Sequence, residues 1–241
     1  MNGPPVVVFG ATSTLGRALA QQWAQQGHPL VLVGRQAAEV ARSAADVGLR
    51  HQVAVRGVVA DAMAPDFPGV VSAALADVGR LAGLAWVFGV MPSVGDTSAA
   101  EVERVFRVNL TAAVAAVEDL LPRVDRDGCV LLVSSVAGDR GRRSNYLYGA
   151  AKAGLTVYGQ GLRHRLARGG PRVTVVKLGV VDSQMTWGRS APGATTPARA
   201  ARAIAGQVAR GRGVVYVPSW WRWVVTVLRL LPEPLFNRLD F

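Results

Sequence analysis

Tyr148 and Lys152 stand four residues apart in the run Tyr148-Gly149-Ala150-Ala151-Lys152, and Ser135 precedes the tyrosine by 13 residues. On a helix, residues at a spacing of four share a face, so the ammonium lies beside the phenol. A phenol titrating near pH 10 is a poor proton-transfer group at neutral pH, and a fixed cation close by lowers its pKa by roughly 1–3 units. The chemistry on offer is proton transfer at a substrate oxygen. The lysine is informative in itself: of 27 basic residues only Lys152 and Lys177 are lysine. A chain that uses arginine wherever a positive charge suffices has a specific need at position 152. Tyr146 competes for the same role, but Ala150 stands where its lysine would be.

The elements that must position these groups alternate in type. Seven short β-branched runs, Val6–Phe9, Leu30–Val33, Val53–Val59, Gly83–Phe88, Val130–Ser134, Val173–Leu178 and Val214–Val217, are separated by helical stretches. Runs that are apolar on both faces belong to a sheet covered on both sides. The expected fold is α/β: a single Rossmann-like doubly wound domain whose seven-stranded, mostly parallel sheet carries helices on both faces. Residues 1–213 are expected to form the dinucleotide-binding catalytic part, with a substrate lid at about 184–197, and residues 214–241 the last strand and an amphipathic tail of the same domain. The first helix puts Leu15, Leu19 and Trp23 on one stripe and stops near Gly27.

Between the first strand and that helix lies Gly10-Ala11-Thr12-Ser13-Thr14-Leu15-Gly16. Glycines at such a turn let the backbone approach a pyrophosphate, whose charge the helix N-terminus stabilises. The full fingerprint has a third glycine where this chain has Thr14. Taken alone, the segment therefore also reads as an ordinary tight turn.

A chain of 241 residues that is 50% hydrophobic can bury a large core. The lone cysteine, Cys129, excludes an internal disulfide framework, and no CxxC or HExxH run suggests a metal, so a reducing cytoplasm is expected. The start, Met1-Asn2-Gly3-Pro4-Pro5-Val6, has neither the basic region nor the apolar stretch of a secretory signal. A net charge of +11 asks for an anionic partner such as a phosphorylated cofactor, a phosphorylated substrate or a membrane surface. No RNA-binding sheet signature, helix-turn-helix or zinc finger accompanies the arginines, so nucleic acid is not expected.

In order and spacing, Gly10 through Gly16, Asp61, Asn109 in Val108-Asn109-Leu110, Ser135, Tyr148 and Lys152 resemble the short-chain dehydrogenase/reductase family, over about Val6 to Met185. The resemblance implies a role for each. Tyr148 would exchange the proton at a carbonyl or alcohol oxygen while hydride moves to or from the nicotinamide, and Ser135 would hydrogen-bond that oxygen. Lys152 would lower the tyrosine pKa and hold the nicotinamide ribose, and Asn109 would fix a helix distortion and a relay water. Gly10, Thr12, Ser13, Thr14, Leu15 and Gly16 would cradle the pyrophosphate, Asp61 and Ala62 would meet the adenine, and Gly89 would border the ribose. Trp86-Val87-Phe88-Gly89 departs from the family's Asn-Asn-Ala-Gly and keeps only the glycine. Leu178-Gly179 replaces the usual Pro-Gly, and Val181 and Ser183 would hold the carboxamide.

Cofactor choice can be argued from charge. Dinucleotide folds that prefer NAD place an acid at the end of the second strand, where this chain has Gly34-Arg35. Arg35, helped by Arg17, is placed to pair with a 2′-phosphate, so NADP(H) is favoured over NAD(H). Stacking on adenine or facing solvent is the alternative for Arg35.

Two further segments, Ser134 to Tyr148 and Val215-Tyr216-Val217-Pro218 through Leu231-Pro232, look like the decaprenylphosphoryl-2-keto-ribose reductase branch of the family. That likeness implies a carbonyl substrate carried on a polyprenyl phosphate. Arg140, Arg142 and Arg143 would border the substrate cleft and bind its phosphate, and Met185 and Trp187 would touch substrate from the lid. In the tail, Trp220 to Leu231 is apolar except for a stripe of Arg222, Thr226 and Arg229. At ~1.5 Å per residue it is too short for a ~30 Å hydrocarbon core, so it either lies in a membrane interface or packs on protein. The expectation is a reductase of a ketone or keto-sugar, homo-oligomeric and cytoplasmic, with peripheral contact at the inner face of the cell membrane as its extension. A catalytically silent dinucleotide-binding scaffold is the alternative.

Overall fold

The apolar runs pair into one sheet in the structure, a computed structural model that describes residues 3–93, 95–183, 185 and 193–238. β1 (Val6–Phe9), β2 (Leu30–Gly34), β3 (Val55–Val59), β4 (Leu81–Trp86), β5 (Val124–Ser135), β6 (Arg172–Leu178) and β7 (Val214–Val217) lie in the order β3-β2-β1-β4-β5-β6-β7. Every pairing is parallel, where a mostly parallel sheet was expected. Each strand reaches the next through a helical crossover, the connection parallel pairs require. The crossovers are α1 (Thr14–Gln25), α2 (Ala37–His51), α3 (Phe67–Ala74), α4 and α5 (Ala99–Phe106, Ala112–Leu120), α6 (Tyr146–Leu166) and α7 (Pro197–Ala209).

The alternation of side chains along β1 and β2 builds two cores. Val7, Phe9, Val31 and Val33 pack on one face with Phe67 of α3, Leu120 of α5 and Leu155 of α6. Val6, Val8, Leu30 and Leu32 pack on the other with Leu19 and Trp23 of α1 and Ile204 of α7. Strand ends differ from expectation where a neighbour decides them. β5 starts at Val124 because it pairs with Leu81 across an irregularity in register, and β4 ends at Trp86 because Phe88 turns into an aromatic cluster with Trp86 and Phe67.

Strand order reverses at β1, whose neighbours β2 and β4 are reached in opposite directions. The connections part there and open a crevice at the carboxyl edge of the sheet, where ligands of doubly wound sheets bind. Gly10, Gly34, Gly89, Ser135 and Leu178 all stand at or just past the carboxyl ends of their strands. Beyond β7 come α8 (Trp221–Leu230) and the short α9 (Glu233–Phe236). No described helix is long and apolar enough to cross a membrane.

Candidate active site

Two glycines bring the serine to the tyrosine. β5 delivers Ser135 to the edge, a single 3-10 turn (Val136–Gly138) follows, and α6 opens at Tyr146. A Cβ on Gly138 would stand 2.7 Å from Ala153 N, and one on Gly149 would stand 2.7 Å from Ala137 O. Only bare backbone permits this turn to lie flat on α6. Ser135 Oγ accepts from Ala137 N at 3.1 Å, and its single proton is shared between Leu178 O, at 3.4 Å, and the Tyr148 side chain. The second of those bonds is long, which leaves the hydroxyl proton open to a better acceptor.

Lys152 is buried and Tyr148 half-buried. The lysine Nζ donates to Val133 O at 3.0 Å and Phe88 O at 3.4 Å, and it lies 5.7 Å from the centre of the Tyr148 ring. Burial pushes the phenol up to about 12, against a hydrogen bond from Ser135 that pulls it down. Burial pulls the ammonium down to about 7. The expected lowering of the tyrosine pKa by the lysine is therefore not what the structure shows. Loss of hydration outweighs attraction when the ammonium is turned toward two carbonyls of the sheet edge.

Asn109 sits in a π-helical turn, Arg107–Thr111, between α4 and α5. Its Nδ2 donates to Val105 O at 2.8 Å and Val90 O at 2.9 Å, and its Oδ1 accepts from Val90 N at 3.2 Å. An amide inserted into the helical ladder accounts for the distortion. It also fastens the segment after β4 to the helix, beside Lys152. A Cβ at Gly89 would stand 3.3 Å from Asn109 Oδ1, 3.5 Å from Lys152 Nζ and 3.7 Å from Met185 Cε. Gly89, Asn109, Lys152 and Met185 thus meet at one point of the crevice.

The turn after β1 is shaped for a phosphate. Gly10 has φ +82°, and a Cβ there would be 2.8 Å from Phe88 N, while one on Gly16 would be 2.1 Å from Gly10 O. Ser13 caps α1, accepting from Gly16 N at 3.0 Å and donating to Gly10 O at 2.7 Å. Ser13 and Thr14 are exposed at the first turn of the helix, where backbone N–H groups face an incoming anion. These features fit a dinucleotide. Asp61 Oδ1 accepts from Met63 N at 2.9 Å on an exposed loop, and Ala62 beside it is buried.

Arg35 is exposed at the end of β2, and the adjoining Gly34 packs against Thr12 of the phosphate turn. Among the described residues no ion-pair partner engages Arg35. Arg17, expected to assist it, is instead paired with Glu39, which also pairs with Arg42. Glu39 is the carboxylate nearest this corner in sequence, and the two guanidiniums hold its pKa below the usual range.

The substrate-side expectations divide. Arg140 is not available to a substrate phosphate: its Nη1 donates to Leu228 O and, at 2.7 Å, to Leu231 O, and its guanidinium lies 3.7 Å from the centre of the Phe236 ring. The unpaired carbonyls at the end of a helix attract a cation more strongly than open solvent does. Arg142 is half-buried, and burial pulls its guanidinium down; Arg143 is exposed. Met185 reaches the crevice beside Gly89, whereas Trp187 lies outside the described residues. Val181 is buried and bridges Thr195, and Ser183 is half-buried nearby.

Several residues of this site escaped the sequence reading. Trp221 packs on Gly179, where a Cβ would come within 2.0 Å of its Nε1, and Trp220 stacks on Trp221 at 4.7 Å. Lys177 forms a buried ion pair with Asp139, whose other oxygen accepts from Tyr216 Oη at 3.2 Å. Arg107 donates to Ala64 O at 3.0 Å and Ala62 O at 3.4 Å, tying the Asp61 loop to the turn that carries Asn109. The scarcity of lysine was the available signal for Lys177.

The description short chain dehydrogenase belongs to the family profile that matches residues 5–192, and the chain belongs to that family. It is an oxidoreductase of the kind that works with a nicotinamide dinucleotide. Among similar proteins is an uncharacterized oxidoreductase of Mycobacterium tuberculosis, 35% identical and aligned over 98% of this chain and 96% of its own. Another, from Streptomyces coelicolor, is 33% identical over 99% of this chain and 97% of its own. The short-chain dehydrogenase of Sphingobium yanoikuyae, solved in complex with NADPH, superposes with a TM-score of 0.83 at 25% identity over 99% of this chain and 97% of its own. A bulky-bulky ketone specific alcohol dehydrogenase from Comamonas testosteroni shares the fold, with a TM-score of 0.81 at 21% identity, over 100% of this chain and 96% of its own.

Proposed function

We propose that the protein is an NADP(H)-dependent carbonyl reductase acting on a ketone or keto-sugar carried on a polyprenyl phosphate at a membrane surface. The observation that carries the reductase reading is the convergence of Ser135, Tyr148 and Lys152 on the crevice floored by Gly10 and Gly89. Gly10, Ser13, Thr14 and Gly16 would hold the pyrophosphate, Asp61 and Ala62 the adenine end, Arg35 a 2′-phosphate, and Val181 and Ser183 the carboxamide. A dinucleotide held there would supply the hydride for the carbonyl carbon. Ser135 Oγ–H donates to the carbonyl oxygen, giving up its long bond to Leu178 O, and Tyr148 delivers its phenolic proton to that oxygen as the C=O π bond breaks. With its pKa raised to about 12, Tyr148 carries that proton throughout the neutral range, which suits reduction better than oxidation.

The lipid-linked substrate is supported by α8. Trp220, Trp223, Val227 and Leu230 form an exposed apolar stripe at helical spacing, while Trp221 and Val225 face the protein. Arg222 and Arg229 border the stripe, an arrangement suited to an anionic lipid surface. Arg142 and Arg143, in the segment between Ser135 and Tyr148, would be the cations that meet a substrate phosphate.

NADPH oxidation across a panel of ketones, comparing wild type with Tyr148→Phe, tests the reading. Turnover by wild type that falls by about 100-fold or more in the variant supports it. Equal, negligible turnover with intact NADPH binding would instead establish a silent dinucleotide-binding scaffold.

A further inference from the structure

We propose that Arg140 is a positioning residue for the reaction: by capping the carboxyl end of α8 it holds the segment that carries Ser135 in register with Tyr148. The inference rests on the proposed reductase reading and adds to it a part played by the C-terminal helix.

The segment after Ser135 is pegged at two adjacent residues that point to different elements. Asp139 is tied to the sheet, through the buried pair with Lys177 on β6 and the bond from Tyr216 on β7. Arg140 is tied to the tail, through the Leu228 and Leu231 carbonyls and the Phe236 ring. Those carbonyls belong to the last turn of α8 and just beyond it, where the helix supplies no N–H of its own, so the guanidinium meets a need that water would otherwise fill.

The other end of α8 returns to the same place. Trp221 seats on Gly179, the residue after Leu178, and Leu178 O is an acceptor for Ser135 Oγ. The contacts close a ring: Ser135, Arg140, the end of α8, Trp221, Gly179, Leu178 and Ser135 again. A shift of α8 therefore moves both the loop that carries the serine and a carbonyl that orients its hydroxyl. Tyr148 depends on this placement, because the hydrogen bond from Ser135 is what lowers its pKa against burial. The contacts of Arg140 with Leu228, Leu231 and Phe236 involve none of the residues expected to hold the dinucleotide, so its loss should fall on the chemical step and not on cofactor binding.

The test compares Arg140→Ala, Arg140→Lys and Phe236→Leu with wild type in the full chain. Three quantities are read: kcat and KM on a ketone that wild type reduces, NADPH affinity by fluorescence, and amide exchange of residues 135–140. The expected result for Arg140→Ala is a kcat lower by about tenfold or more, NADPH affinity and melting temperature close to wild type, and faster exchange in 135–140. Arg140→Lys, which can still reach the carbonyls, should recover most of the loss, and Phe236→Leu should show a smaller loss in the same direction. A kcat within about twofold of wild type, or a loss of kcat that only tracks lost NADPH binding and stability, overturns the proposal. If wild type turns over no ketone, the reductase reading fails separately. Unchanged exchange in Arg140→Ala then still overturns the positioning role.

Discussion

The Lys152 ammonium hydrogen-bonds the Val133 carbonyl at 3.0 Å while standing 5.7 Å from the centre of the Tyr148 ring. The lysine thus serves the sheet edge, and burial drives the two side chains apart, the phenol up to about 12 and the ammonium down to about 7. A proton donor that stays protonated and a cation that is lost near neutrality give the reaction a definite pH dependence.

Reduction at saturating NADPH should fall as pH rises above the Lys152 pKa, because the charge that steadies the developing phenolate is lost while Tyr148 still holds its proton. The phosphates of a bound dinucleotide favour the charged lysine, so the falling limb should lie above 7. Lys152→Arg, charged at every pH in the range, should keep a small activity with no such limb. The same limb at the same pH in both proteins would contradict the assignment. Stability follows the same sign. Lys152 binds its proton less readily folded, at about 7, than unfolded, near its ordinary 10.5, so its contribution rises with pH across that window. Thermal melts of wild type and Lys152→Met should therefore converge on, or shift in favour of, wild type as pH is raised from 7 toward 10.5.

Arg35→Ala should weaken NADPH by about tenfold or more, the loss of a charge-assisted hydrogen bond, and change NADH by less than about twofold. Gly34 packed on Thr12 places the start of Arg35 beside the phosphate turn, and Glu39 is already satisfied by Arg17 and Arg42. Fluorescence titration with both cofactors decides the matter. Equal losses would remove the 2′-phosphate argument.

What the sequence disclosed was local. Tyr148 and Lys152 are a helix turn apart, Ser135 ends a β-branched run, and Gly10 to Gly16 joins a strand to a helix, so spacing alone placed them. Val6, Val8, Val7 and Phe9 announced a sheet buried on both faces by being apolar without interruption. The contacts that were hidden join distant parts of the chain. Arg140 meets Leu228 across 88 residues, and Trp221 meets Gly179 only because β6 and α8 share an edge. An arginine between two catalytic candidates reads as a substrate ligand until the carbonyls of a later helix are seen to claim it. Likewise the phenol's pKa could not be read from the lysine's proximity, because burial acts on both groups and is invisible in spacing.

Gly138→Ala tests how closely the serine turn must approach α6. Its Cβ would sit 2.7 Å from the Ala153 backbone nitrogen, so backbone must move, at a cost of about 1–3 kcal/mol. For a chain of this size that lowers the melting temperature by roughly 2–4 °C per kcal/mol. Activity should fall further than stability, since the same movement withdraws Ser135 from Tyr148. Gly161→Ala, on an open face of the same helix where a Cβ meets nothing within 4 Å, should leave activity intact and raise stability by roughly 0.5–1 kcal/mol. Matching behaviour of the two variants would show that close approach at Gly138 is unimportant.

The outer face of α8 yields the last prediction. Trp223, Val227 and Leu230 are 68%, 61% and 77% exposed, although burying side chains of this kind is worth roughly 1.5–3 kcal/mol each. The helix has 10 residues and spans roughly 15 Å, half of a ~30 Å hydrocarbon core, so it can lie in a lipid interface but not cross it. Arg222 and Arg229 add about 1 kcal/mol each near an anionic surface. Full-length protein should therefore bind vesicles containing anionic lipid, more weakly as salt rises, and the double substitution Trp223→Ser with Leu230→Ser should reduce binding by about tenfold or more while NADPH affinity stays unchanged. The inner residues Trp221 and Val225, which hold α8 to the protein, are untouched by that pair. If the substitutions leave vesicle binding intact but abolish a concentration-dependent dimer in light scattering, the stripe is covered by a second copy of the chain, and the lipid-surface part of the proposed function falls while the reductase chemistry stands.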